Sequence, residues 1–217
     1  MKKQEYDMGY HNKRFRALLE NKRLYELKGK VAKKEYFVGF NEESRVLEFG
    51  TGIGQNLRFI KNKYGYDINR ELYPILKENG INTFDSIDKI PDNFFDEILV
   101  CQVLEHLENP IKILKLLRKK LKKDGKIRIV VPKAYYSLPN NMNTTKNGHL
   151  YCWSFLEMNY LLNLCGFKNV LNKKIYRRGA DKLMPLAKIN FSLYFALIKT
   201  FGFLMRNFDL LVIAEKD

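Results

Sequence analysis

Glu48, Gly50, Gly52 and Gly54 stand at alternate positions in VLEFGTGIGQNL, residues 46–57, and Asp67 follows nineteen positions after Glu48 in YGYDI. An apolar run that breaks into spaced glycines is a strand feeding a tight turn. Glycine allows positive φ and leaves no Cβ between backbone and ligand. A dinucleotide site wants G-x-G-x-x-G, with a third glycine where this chain has Gln55, and little negative charge near a pyrophosphate. Here a carboxylate sits just before the turn. It repels phosphate and attracts a cation.

S-adenosylmethionine fits those demands, because it carries a sulfonium and an α-ammonium and no phosphate. It is therefore the expected cofactor, with S-adenosylhomocysteine as product. Asp67, at the end of the next strand, can accept from both ribose hydroxyls, in charge-assisted bonds worth roughly 1.5–3 kcal/mol each.

The elements that must position these residues alternate between strand and helix. SRVLEF reads as a buried strand, GQNLRFIKN as a helix, KYGYDI as a strand, ELYPILKEN as a helix ended by Gly80, and INTF as a third strand. DEILVC and KIRIVV are the fourth and fifth strands, joined by the amphipathic helix IKILKLLRKKL, and SFLEMNYLLNLCGF is a later helix. KNVLNKKIYRR and FDLLVIAEK close the chain as a pair of strands. This alternation implies a parallel sheet covered on both faces, and so an α/β, Rossmann-like domain over 44–217. Residues 1–43 are read as an N-terminal helical extension over the cofactor site, with one basic helix over 13–37.

At 217 residues one core is expected. The net charge of +15 is unevenly spread: residues 44–111, which hold the turn, carry −4, and residues 112–133 carry +9. A basic exterior suits nucleic acid, anionic lipid, an acidic substrate or plain solubility. Cys101, Cys152 and Cys165 form no CxxC pair and are odd in number. Neither a disulfide framework nor a metal site is expected, and a reducing, cytoplasmic setting follows. MKKQEYDMGYHNKR has no apolar h-region, so no secretory signal is expected.

In these residues the chain resembles the class I S-adenosylmethionine-dependent methyltransferases, most closely their small-molecule branch. VLEFGTGIGQ looks like the family's first motif and YGYDI its second. FDEILVCQVLEHLENPIKILKLLRKKLKKDGKIRIVVPK is similar to its fourth strand, helix and fifth strand, with an LEHL signature, and GHLYCWSFLEMNYLLNLCGFKNV to a later His-led loop and helix. The resemblance covers about residues 44–175 and implies a seven-stranded sheet, mostly parallel, with the last strand antiparallel. It implies that Glu48, Gly50, Thr51, Gly52 and Gly54 line the methionine half, that Asp67 meets the ribose and Ile68 the adenine, and that Asp85 or Ser86 reaches the adenine amino group. Cys101 and Gln102 would face the methionine end. Many relatives have Cys or Ala where this chain has Thr51.

Methyl transfer is an in-line displacement in which positioning supplies most of the catalysis, and a base is needed only where the acceptor must lose a proton. His106 and His149 lie in family motifs near the cleft and suit that role at neutral pH; capping or packing is the plainer alternative for both. His11, with Tyr6 and Tyr10, is a weaker candidate from a segment folded over the cofactor. The expected reaction is O-methylation of a small or lipid-linked molecule. Nucleic-acid methylation and non-catalytic cofactor binding stand as alternatives, although Cys101-Gln102-Val103-Leu104 lacks the Asn/Asp-Pro-Pro-aromatic run of adenine-amino enzymes. An apolar helical insert at about 181–206 carries one charge, Lys199, between Ile189 and Met205. It is too short and too interrupted to span a bilayer. A lid over the acceptor pocket, an interfacial helix on anionic membrane, a homodimer contact and a plain packed helix are its readings.

Overall fold

The computed structural model describes residues 15–133, 149–176 and 182–217. His11, Tyr6, Tyr10 and most of the polar connection after Lys133 lie outside them. The described residues build a seven-stranded sheet of β1 (Arg45–Phe49), β2 (Asn62–Tyr66), β3 (Asn82–Thr83), β4 (Phe95–Cys101), β5 (Leu121–Pro132), β6 (Phe167–Tyr176) and β7 (Phe208–Lys216). Their order is β3-β2-β1-β4-β5-β7-β6. The first five pair in parallel, and β7 runs antiparallel to both of its neighbours. The expected mostly parallel sheet with a reversed last strand is what forms. β1 and β4 are almost wholly buried, as strands covered on both faces must be, which is why they read as continuous apolar runs.

Two helical expectations are corrected. The helix read over 13–37 breaks at Asn21, whose side chain accepts from the Leu24 amide and caps α1 (Lys22–Tyr36). No crossover helix follows the glycine turn either: a single 3-10 turn, Gln55–Leu57, leads to β2. The reason is that α1 already covers that face. Ala32, Tyr36 and Phe37 pack in one cluster with Val46, Leu57 and Ile60. At Gly29 an added Cβ would stand 2.7 Å from Arg58 Cβ and 3.0 Å from Gln55 O, so the helix lies directly on the turn.

α1 is held from three directions. Arg128 on β5, 1% exposed, donates to both carboxylate oxygens of Glu97 (2.7 and 3.0 Å) and to the Tyr36 and Val38 carbonyls (both 2.9 Å). Glu35, buried on α1, pairs with Lys173 of β6 at 2.7 Å and with Lys199 at 3.4 Å. The remaining helices are α2 (Tyr73–Glu78), α3 (Pro110–Lys120), α4 (Phe155–Leu164), α5 (Met184–Ile189) and α6 (Phe191–Leu204). α4 opens on a capping box between Ser154 and Glu157.

The apolar insert is the α5–α6 pair. Tyr194, Phe195 and Ile198 bury against Leu27 and Val31 of α1, and the lysine that interrupts the apolar run is the one that reaches Glu35. Lys34 lies 4.4 Å from the Phe195 ring centroid. Among the described residues no helix is long and apolar enough to cross a membrane.

Candidate active site

A cavity of about 660 Å³ opens at the carboxyl ends of β1, β2 and β4. In a parallel sheet that is where strand order reverses and ligands bind. Gly50 N and Thr51 N both donate to the Tyr66 carbonyl, at 2.8 and 3.1 Å, which hangs the glycine turn on the end of β2. Gly52 N then donates to Asp67 Oδ2 at 2.8 Å, and Asn69 N to Oδ1 at 2.9 Å. The carboxylate is thereby locked against the turn, with lone pairs left on both oxygens for further donors. Gly50 has φ +78°, and a Cβ there would meet Val103 Cγ2 at 2.4 Å.

Glu48 is 1% exposed and forms part of the cavity wall. Asn56 Nδ2 donates to its Oε1 at 2.6 Å, and its Oε2 has no hydrogen-bonding partner among the described residues. Burial pushes its carboxyl up to about 8; the Asn56 hydrogen bond pulls down against this, and the neighbouring Asp67 charge adds to the rise. An orphaned buried oxygen on a group held back from ionising, beside a turn with no room for side chains, fits a cationic ligand. It is a poor seat for a pyrophosphate.

The structure brings Glu48, Gly50, Thr51, Gly52, Asp67, Ile68, Cys101, Gln102 and His106 into this lining. Thr51 turns its hydroxyl to the Glu48 carbonyl, at 2.7 Å, so its contribution is backbone and methyl. Ile68 is 75% exposed on the rim. Gln102 adopts φ +57°, its amide donates to the Val130 carbonyl, and its Nε2 is buried without a hydrogen-bonding partner among the described residues.

Gly54, Asp85, Ser86 and His149 are not in the lining. A Cβ on Gly54 would stand 2.3 Å from Ile81 Cδ1, so that glycine serves packing under the turn. Asp85 is exposed and paired with Lys89 at 2.5 Å, which holds its carboxyl below the usual range. Ser86 accepts from the Asp88 amide, and it is Ile87 that reaches the cavity. His149 lies behind His106, ring centroids 4.7 Å apart at 79°. The α5–α6 insert contributes no residue to this lining, and Tyr194, Phe195 and Ile198 pack on α1.

Sequence reasoning missed Phe15, Leu18, Lys28, Tyr36 and Asn56, all of which line the cavity. The first two fall within the basic helix read over 13–37, and a helix reading does not say which residue meets a pocket. Glu105 was read only within the LEHL signature. It is fully buried, on the 3-10 turn Leu104–His106 that follows β4. A carboxylate between Leu104 and His106 was the available signal.

The sequence profile of a family described as "Methyltransferase domain" matches residues 13–172. An uncharacterised protein of Methanocaldococcus jannaschii is 29% identical over 151 residues, 65% of this chain and 73% of that one. Among solved structures, a S-adenosylmethionine-dependent methyltransferase from Archaeoglobus fulgidus superposes with a TM-score of 0.60 at 22% identity, covering 98% of this chain and 100% of that one. The 1,6-didemethyltoxoflavin-N1-methyltransferase of Burkholderia thailandensis, bound to 1,6-didemethyltoxoflavin and S-adenosylhomocysteine, gives 0.61 at 15% identity over 100% and 92%. These likenesses carry the fold, and the family match runs through the glycine turn, Asp67 and the Glu105 turn alike. The chain belongs to the methyltransferase-domain family and is a S-adenosylmethionine-dependent methyltransferase.

Proposed function

We propose that the enzyme methylates an oxygen of a small or lipid-linked molecule. The observation that carries this reading is His106 in the wall of the same cavity as the glycine turn. The cofactor supplies an electrophilic methyl on a sulfonium. Glu48 and the glycine turn seat its methionine half, Asp67 its ribose, and Ile68 the adenine at the rim. Asp85 and Ser86 serve the adenine only from outside the lining, and Gly54 only by shaping the turn. An imidazole at His106, with His149 behind it, can deal with the proton of an attacking hydroxyl.

A lipid-linked acceptor is favoured by the outer face of α6 and its surroundings. Leu193, Phe203, Leu204 and Met205 are exposed there beside Arg206, and Ile189 beside Lys188. Apolar side chains flanked by cations suit the surface of an anionic membrane. The same face could join two copies of the chain, and vesicle flotation with and without anionic lipid separates the two: binding to neither removes the membrane contact. For the reaction, labelled cofactor and cell extract are incubated with the enzyme. Label in organic-extractable material supports the reading. Label lost on nuclease treatment replaces it with nucleic-acid methylation, and no label at all from a protein that binds S-adenosylhomocysteine points to a non-catalytic cofactor-binding protein.

A further inference from the structure

We infer that Glu105, His106 and His149 form a binding site for a divalent transition-metal ion that holds the methyl acceptor. One ligand atom from each, a carboxylate oxygen and two imidazole nitrogens, lies within 4.8 Å of the others. Donor atoms sharing one ion at the usual bond lengths stand about 3–3.5 Å apart. Small rotations of the two imidazoles close that difference.

The framework under the triad is built. Glu105 and His106 sit on one 3-10 turn at the end of β4, where His106 N donates to the Val103 carbonyl. The His149 segment is tied to the same turn, since Leu150 N and Tyr151 N both donate to the Glu105 carbonyl, at 2.7 and 3.4 Å. Tyr151 OH adds a bond to the Glu108 carbonyl, and Lys133 bridges to Trp153 at the end of β5. His149 therefore faces His106 because the backbone holds it there. Glu105 is fully buried, which fixes its carboxylate beside the two imidazoles.

Two imidazoles and one carboxylate are a donor set for iron, cobalt, nickel or zinc. Magnesium and calcium take oxygen ligands. Three protein ligands leave a coordination position open, as in catalytic rather than structural sites. His106 belongs both to the triad and to the cavity lining, so the triad borders the space an acceptor would enter. Coordination lowers the pKa of a hydroxyl so that its proton passes to water, and His106 then handles that proton by ligating the ion rather than by accepting it on its ring. The acceptor oxygen then attacks the methyl carbon: the new carbon–oxygen bond forms as the carbon–sulfur bond breaks, and that electron pair stays on sulfur, giving a neutral thioether.

The role rests on the methyltransferase reading, whereas the metal site stands on its own geometry. The test uses the full chain freed of metal by chelation and titrated with Co²⁺, followed by visible absorption. S-adenosylhomocysteine binding is measured by calorimetry on the same samples. The expected result is a single saturable ion per chain with bands of imidazole coordination, weakened at least about tenfold in His149→Ala and in Glu105→Gln, both still binding S-adenosylhomocysteine. Acetohydroxamate, an oxygen chelator, is expected to shift the bands. No saturable Co²⁺ binding in a sample that binds S-adenosylhomocysteine overturns the site, as does binding that neither variant weakens. Unshifted bands overturn the open position. Co²⁺ binding without S-adenosylhomocysteine binding supports the site and removes the cofactor reading instead.

Discussion

Glu48→Gln removes a carboxyl whose burial favours its neutral form. Its pKa rises from 4.5 to about 8, chiefly by burial. At about 1.4 kcal/mol per pH unit this sets roughly 5 kcal/mol, as an upper figure, against ionisation in the folded chain. Below pH 4.5 the group is protonated in both folded and unfolded chains and contributes nothing. As pH rises from there to 8 the unfolded chain ionises first, so the folded state loses stability through that window. Binding runs the other way. A ligand that brings an α-ammonium to Glu48 favours the charged form, so complex formation expels a proton wherever the free carboxyl is still protonated. The affinity for S-adenosylhomocysteine is expected to rise with pH up to about 8, by at most about tenfold per unit, and then to level off. Calorimetry at pH 6.5, 7.5 and 8.5, in two buffers of different ionisation heat, reads both the affinity and the proton. The glutamine variant should bind more weakly at the high end, show a flat profile and melt higher than the parent at pH 8.5. A parent with no slope, or a variant that keeps it, would mean that Glu48 is not the group facing the ligand.

Three further outcomes are expected. Asp67→Ala removes the acceptor for Gly52 N and the one proposed for the ribose, and should weaken S-adenosylhomocysteine binding by about 1.5–3 kcal/mol or more in calorimetry, with the fold retained by circular dichroism. Gly50→Ala places a Cβ 2.4 Å from Val103 Cγ2 on a positive-φ residue, and should cost about 1–3 kcal/mol in urea unfolding as well as cofactor binding; Val103→Ala in the same chain should recover only part, because φ stays strained. Glu97→Ala strands the buried Arg128 and should cost about 3–5 kcal/mol in the same unfolding assay, whereas the surface pair Lys61–Glu43 should cost under about 1 kcal/mol when broken.

The centre of the sheet was legible because β1 and β4 are buried on both sides and therefore read as unbroken apolar runs. The glycine turn was legible because a ligand's approach demands residues without side chains. What could not be read was anything decided by competition for a surface. GQNLRFIKN has helix-forming residues, yet only a 3-10 turn survives, because α1 takes the face a crossover helix would need. Lys199 looked like a flaw in an apolar segment and is the partner of a glutamate far away in sequence. Glu105 and His149 are separated by more than forty positions, and their meeting depends on amide hydrogen bonds to one carbonyl, which leave no pattern in residue types.

The anchoring of α1 also sets a schedule. The chain is made from its amino end, but the groups that hold this helix come late: Arg128 bonds across 92 positions and Lys173 across 138. During synthesis the helix emerges long before its partners, with Leu24, Leu27 and Val31 uncovered. Phe15, Leu18 and Lys28, which close one side of the cavity, ride with it. The wall of the cavity is therefore made first, and the anchors on β5 and β6 that fix it are made last.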